Sequence, residues 1–322
     1  PQATHLFQTV GNNNDWDGVA GGGILEAEAN KTLELRDDAT FGFTGSVEAQ
    51  PGGRVFTNGF ALEFNPGSSI NLTSATYEST SSTDVGGTVT VAAGPQSTIK
   101  VKNNFFLTFE TGSATTLNGN LTLENNNINI EQGAVFNNGG GALIVPDGSH
   151  LVADNLSNIG VLLDMQGAFR PGNFEGIGRV DLFDYQQSST AELFVELRGT
   201  ALNAFDRLVA SGDVVLDGYL NIYVDEVSPG VPFVPSLGQT FNIITGNTVS
   251  GTFDYADISG MPAGLAFHIN YLANAVQLEV VNKPLFSADF DEDGDVDPTD
   301  LFIWKNAFNL NQLGDADGDN DS

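Results

Sequence analysis

Six carboxylates near the end of the chain have the type and spacing to bind a hard cation. In the run DFDEDGDVDPTD, Asp289, Asp291, Asp293, Asp295, Asp297 and Asp300 occupy loop positions 1, 3, 5, 7, 9 and 12, and Gly294 occupies position 6. Alternate residues can converge on one ion only if the chain turns sharply at position 6, where glycine tolerates the backbone angles. Such a run repels itself unless a cation neutralises it. Calcium is the ion that this many oxygen donors suit. The plain alternative is a solvated acidic tail, and the phase of the acids together with the placed glycine favours the loop.

Position 12 is Asp300 rather than the bidentate Glu of the usual EF-hand loop. The loop is followed by a helical-looking stretch, Leu301–Phe308, with Phe302, Trp304 and Phe308 on it. This loop and helix resemble one half of a dockerin module, in which two such repeats carry Asp at position 12. A second start follows, with Asp315, Asp317, Asp319 and Asp321 at positions 1, 3, 5 and 7. Asn320 stands at its position 6, and the run stops at Ser322, so this repeat reads as incomplete. The resemblance implies calcium as cofactor and a cohesin-like domain as partner.

The composition narrows the partners. There are 11 Lys+Arg against 41 Asp+Glu, a formal net charge of −30. Nucleic acid and anionic membranes need cationic surface and are therefore not expected as partners. No apolar run approaches the roughly 18 residues of a membrane span. The absence of cysteine rules out disulfides, thiolate metal sites and cysteine nucleophiles. Three histidines, His5, His150 and His268, lie far apart and read as isolated strand or surface residues. The chain starts at Pro1 with no leader pattern, which fits either an exported protein whose leader has been removed or a start set by where the piece was cut.

The elements that would hold such a loop are almost all strands. From residue 31 to 165, short alternating runs recur, among them Leu62-Glu63-Phe64, Val89-Thr90-Val91, Leu107-Thr108-Phe109 and Ile128-Asn129-Ile130. Each has period 2 and one apolar face. Gly, Asn, Asp and Ser turns separate them. A sandwich or barrel and a β-solenoid both fit this spacing. Leu107/Phe109, Ile128/Ile130 and Leu151 recur 21 to 23 residues apart. That recurrence favours three strands per coil with like positions stacked. Residues 1–30, with the triplet Gly21-Gly22-Gly23, read as an N-terminal cap or assembly arm. The triplet is no phosphate loop, because no GK[ST] follows it.

Residues 166–282 change character. Gly167-Ala168-Phe169-Arg170-Pro171-Gly172, Phe205-Asp206-Arg207-Leu208-Val209, Leu216-Asp217-Gly218-Tyr219-Leu220 and Gly251-Thr252-Phe253 follow in order. This order is similar to the C-terminal passenger region of autotransporter-type β-helix surface proteins, which implies that the solenoid continues and closes here. Asp217-Gly218 signals a hairpin or a corner. Lys283-Pro284 then opens the acidic module, residues 283–322.

No catalytic constellation emerges. Asp181 and Asp184 are candidates for a hydrolase pair, and Lys100 and Lys102 form the one close cationic pair on a strand face. Asp37-Asp38 is an adjacent acidic pair outside the tail. Neither set completes a site. The sequence therefore predicts an all-β protein, a right-handed parallel β-helix ending in a small α-helical calcium module. The expected function is a non-catalytic, secreted surface or matrix protein, structural or adhesive, assembling through calcium with other copies of itself or with a cohesin-like domain. The alternative is a dockerin-bearing polysaccharide-active enzyme or carbohydrate-binding protein of the same fold.

Overall fold

The computed structural model describes residues 4–8, 24–36, 41–59, 62–172, 176–283, 290 and 296–307. The described chain is all-β apart from one helix, Pro298–Ala307. Nearly all strand pairs are parallel, and each strand pairs with its counterpart one coil away, which makes the molecule a β-solenoid. Leu107 lies opposite Ile128 and Ile128 opposite Leu151, as the sequence recurrence predicts.

Three strand columns build the wall. One is a ten-stranded sheet that includes Leu107–Phe109, Ile128–Ile130, His150–Ala153 and Glu192–Leu197. The other two belong to a single 21-stranded sheet. Over the first coils they are separate ladders: Ser46–Ala49 to Ser69–Leu72 to Thr88–Val91, and Arg54–Asn58 to Thr76–Ser79 to Ser97–Val101. They fuse at two nine-residue strands, Ser157–Met165 and Arg179–Gln187. Ser157–Met165 pairs through its first half with Val135–Asn138 and through its second with Ala142–Val145. A register shift between Ile159 and Leu162 marks the bend. Gly160 sits in that bend, where a Cβ would lie 2.7 Å from the carbonyl oxygen of Phe136.

The core follows from the period-2 pattern. Ser97–Val101 and Ser157–Met165 alternate buried and less buried residues along their length. Because pairing is in register, each inward side chain rests on the inward side chain of the next coil. Leu107, Ile128, Leu151, Phe169, Leu193 and Leu220 form one such file, each at most 1% exposed. Corners are made by residues that tolerate left-handed backbone. Gly112 and Gly133 do so at equivalent corners, with φ of 86° and 87°. One coil later the non-glycine Leu156 takes that conformation at φ 63°. Asp217-Gly218 is a corner rather than a hairpin, since the following strand, Tyr219–Val224, stays parallel to its neighbours.

Thr4–Gln8 and Ile24–Ala27, within the stretch read as an N-terminal cap or arm, already pair in parallel with later coils. At the other end the ladder reverses. Leu265–Leu272 and Ala275–Asn282 form an antiparallel hairpin laid on Thr240–Thr245. Phe241 meets Phe205, Phe233 and Phe267 edge-on at centroid distances of 5.3, 6.2 and 5.9 Å, which seals the end of the core. Burying such rings adds edge-to-face attraction to the area they remove from water.

Leu151 is fully buried between Ile128 and Phe169. Leu151→Ala is expected to lower stability by about 2–5 kcal/mol, because the stacked rungs on both sides cannot collapse into the void. Urea unfolding followed by far-ultraviolet circular dichroism checks this.

Candidate functional site

Of the ten proposed metal ligands, the described residues include two, Asp297 and Asp300. Asp289, Asp291, Asp293, Asp295, Asp315, Asp317, Asp319 and Asp321 lie outside them. Asp297 and Asp300 shape the start of the helix. The Oδ1 of Asp297 accepts the Thr299 N–H at 2.6 Å, and Pro298 follows as the first helical residue. That is an N-cap with proline at the next position, where no N–H is missed. Asp300 reaches back three residues, its Oδ2 accepting the Asp297 N–H at 2.6 Å. The second bond is the backward half of a capping box, while the N-cap side chain serves Thr299 instead of Asp300. The Oδ1 of Asp300 also accepts the Phe290 N–H at 2.5 Å, so one carboxylate, 2% exposed, ties loop positions 2 and 9 to the helix.

The N–H groups of Phe290 and Asp297 engage one oxygen each of the Asp300 carboxylate. The donor set is all hard oxygen, which suits calcium. Leu301 and Phe302 stand exposed on the helix, and Trp304 is partly buried. Phe308 lies outside the described residues. Among those residues no three of His, Asp and Glu converge as a metal set, and no helix is long and apolar enough to cross a membrane.

The other candidates resolve into structural contacts. The carboxylate of Asp181 accepts from Arg179 Nε and Nη2 at 2.9 and 2.6 Å. Asp184 Oδ1 accepts the Asp213 N–H, in the next coil, at 2.7 Å. Lys100 pairs with Glu124, and Lys102 with Glu78. Glu78 also takes Arg54 Nη2 at 2.7 Å and Nε at 2.8 Å. Burial pushes the Glu78 carboxyl up, but Lys102 and Arg54 together outweigh it and hold the group below its ordinary value. Asp206, 2% exposed, accepts the N–H of Gly178 at 2.7 Å and of Glu196 at 2.8 Å, while burial drives its carboxyl well above the usual range. Asp37 and Asp38 lie outside the described residues, as does the side chain of His5. His268 lies on the closing hairpin.

The outer face of the ten-stranded sheet holds what the sequence reading missed. Its lower part carries carboxylates coil after coil. Glu63 and Asp84 are in register, and Glu110, Glu131 and Asp154 follow their strands in successive coils. Burial, then Asp84, Glu131 and Glu63, raise the Glu110 carboxyl, and burial with Glu131 raises that of Asp154. Above them stands a cationic and aromatic file. The Arg170 guanidinium lies 3.9 Å from the Phe194 ring centroid, and Phe194 stacks on Tyr223 at 6.3 Å and 11°. His150 sits 6.4 Å from Phe194; burial first, then Arg170, lowers its pKa. Between the two zones a groove of about 280 Å³ opens beside Phe106. Two adjacent aromatics at a polar corner, Phe105-Phe106 after Asn103-Asn104, were the one signal for it in the sequence.

No protein-family profile matches this chain, and no curated protein matches it.

Glu78 supplies a test of the ionic bridge across three coils. Its pKa is lowered on folding, so its contribution is present above the ordinary value of 4.5 and is lost as pH falls through the folded-state value. Glu78→Gln is expected to cost about 1–3 kcal/mol at pH 7, the range for hydrogen bonds to charged groups. The deficit should shrink toward zero in acid. Melting temperatures of both proteins between pH 3 and pH 7 check the sign.

Proposed function

We propose that this protein is a non-catalytic extracellular structural rod whose C-terminal module is a calcium-dependent joint. The observation that carries the reading is the double use of Asp300. Its carboxylate gathers the N–H groups of Phe290 and Asp297, at positions 2 and 9 of the acidic run. Six carboxylates spaced as this run spaces them repel one another, and a divalent cation is the counter-charge that would relieve that repulsion. Asp289, Asp291, Asp293 and Asp295 would supply the remaining oxygens, with Asp297 and Asp300 closing the set. The dockerin resemblance points the same way. It adds a partial second site at Asp315, Asp317, Asp319 and Asp321.

The solenoid supports the structural half of the reading. Its stability is local to each coil and its neighbours, so the fold lends itself to extended spacers. The joint would act by presenting Leu301 and Phe302, which are exposed on the helix, to an apolar partner surface. A cohesin-like domain or another copy of the chain is the partner in this reading, at a cell surface or in a matrix.

Calorimetric titration of calcium into the chelator-treated protein, with Trp304 fluorescence followed in parallel, tests the joint. Saturable binding at or below millimolar calcium is expected, and Asp291→Ala with Asp293→Ala should weaken it at least tenfold. Removing calcium should lower any self-association seen by light scattering. Heat and fluorescence that stay flat up to millimolar calcium would sink the reading.

A further inference from the structure

We propose that the groove beside Phe106, on the outer face of the ten-stranded sheet, binds an uncharged, hydroxyl-rich polysaccharide. The apolar part of the floor is Val152, which aligns with Asn129 on the outward side of the neighbouring strand and is 4% exposed. Phe106 forms one wall and is 53% exposed, a large ring held in solvent without a covering element among the described residues. Asn126, Asn127, Asn129, His150 and Asp154 complete its polar lining. An apolar floor with a few placed polar groups is the ordinary make-up of a ligand site, and the volume lies near the lower limit for one.

The corner that carries Phe106 is built to hold its place. Asn103 and Asn104 both adopt left-handed backbone, at φ 62° and 58°. The next coil then clamps it through side-chain amides: Asn127 Nδ2 donates to the Asn104 carbonyl at 2.7 Å, and Asn125 Nδ2 to the Phe105 carbonyl at 2.8 Å. Asn126 Nδ2 adds a bond to Asn104 Oδ1 at 3.2 Å. A wall fixed in this way loses little freedom on binding. Asn129, by contrast, makes no side-chain hydrogen bond among the described residues, which leaves both ends of its amide for a ligand. A second recess of about 310 Å³ shares Asn126 and carries the surface on to Lys100, Glu124 and Asp147.

Charge and backbone decide the occupant. Glu63, Asp84, Glu110, Glu131 and Asp154 crowd the same face, so an acidic polymer would be repelled. An added peptide strand finds no edge, because Leu107–Phe109, Ile128–Ile130 and His150–Ala153 are each paired on both sides. Recognition therefore falls to side chains. Amides, an imidazole and a carboxyl suit hydroxyl groups, which both donate and accept. The exposed face of Phe106 suits the C–H face of a sugar ring, since the π face is the negative pole of the aromatic quadrupole.

The inference stands apart from the calcium joint, and its test can exclude that joint. Native affinity electrophoresis of the full chain in chelator, through gels containing hydroxyethylcellulose, dextran or mannan, should show retardation by at least one of these neutral polymers. Polygalacturonate should cause none. Phe106→Ala and Asn129→Ala are each expected to weaken the retarding interaction tenfold or more while the circular dichroism melt is unchanged, and Phe106→Trp should keep it. Failure of all three neutral polymers to retard the protein overturns the proposal. So does retardation that survives both alanine substitutions, or equal retardation by polygalacturonate.

Discussion

The solenoid wall and its core depend on in-register parallel pairing of each coil with the next. A strand of period 2 that pairs without slipping places inward residue on inward residue, and a one-residue slip would turn the whole apolar set to solvent. The file from Leu107 to Leu220 is the direct result. Corners must then repeat at the same places. This explains why Gly112 and Gly133 share a backbone conformation, and why small buried residues, Ser113 and Ala134, come directly after them. The same pairing satisfies the backbone internally along the wall, so the outer face has only its side chains to offer.

Polar groups inside this frame follow from the same constraint. Tyr77 and Tyr185 occupy inward positions, and burial raises both phenols, that of Tyr77 to about 12. Tyr185 donates to Gln187 at 2.8 Å, and Gln187 in turn donates to the carbonyls of Ala191 and Tyr219 at 3.2 and 3.0 Å. The network spans two coils, and a buried amide left without these partners would be costly. Ionic contacts on the outside run between coils as well: Arg54, Glu78 and Lys102 lie on three successive coils. Exposed pairs of this kind contribute little singly, but Glu78 is largely shielded and serves two cations at once.

Much of the solenoid was legible because its signals are local and repeat. Leu107, Ile128 and Leu151 announced both the strand period and the coil length, and turn residues marked the corners. The fusion of two ladders at Ser157–Met165 was not legible. Gly160 reads as a break in a strand, whereas here it lets a strand bend against the Phe136 carbonyl. The groove was hidden for a different reason. Phe106, the pair Asn127 and Asn129, and the set His150, Val152 and Asp154 come from three successive coils, and no motif within one coil connects them. The proposed calcium loop rests on spacing, and the structure adds the capping role of Asp297 and Asp300, which the ligand pattern does not reveal. Lys100 and Lys102 looked like a cationic pair and instead serve different carboxylates.

The two long bent strands also alter how the rod should behave as a mechanical object. Over its first coils the wall has hinges at every corner, so twist and bending can be shared among many small joints. Where Ser157–Met165 and Arg179–Gln187 run through a corner without interruption, that corner becomes a splint spanning two faces. Torsion applied at one end is transmitted across the splint rather than absorbed there. Fraying that begins among the N-terminal coils meets a barrier at the same point, since two columns must open together. The wall is thus expected to be compliant along its N-terminal coils and stiffer where these two strands cross the corner.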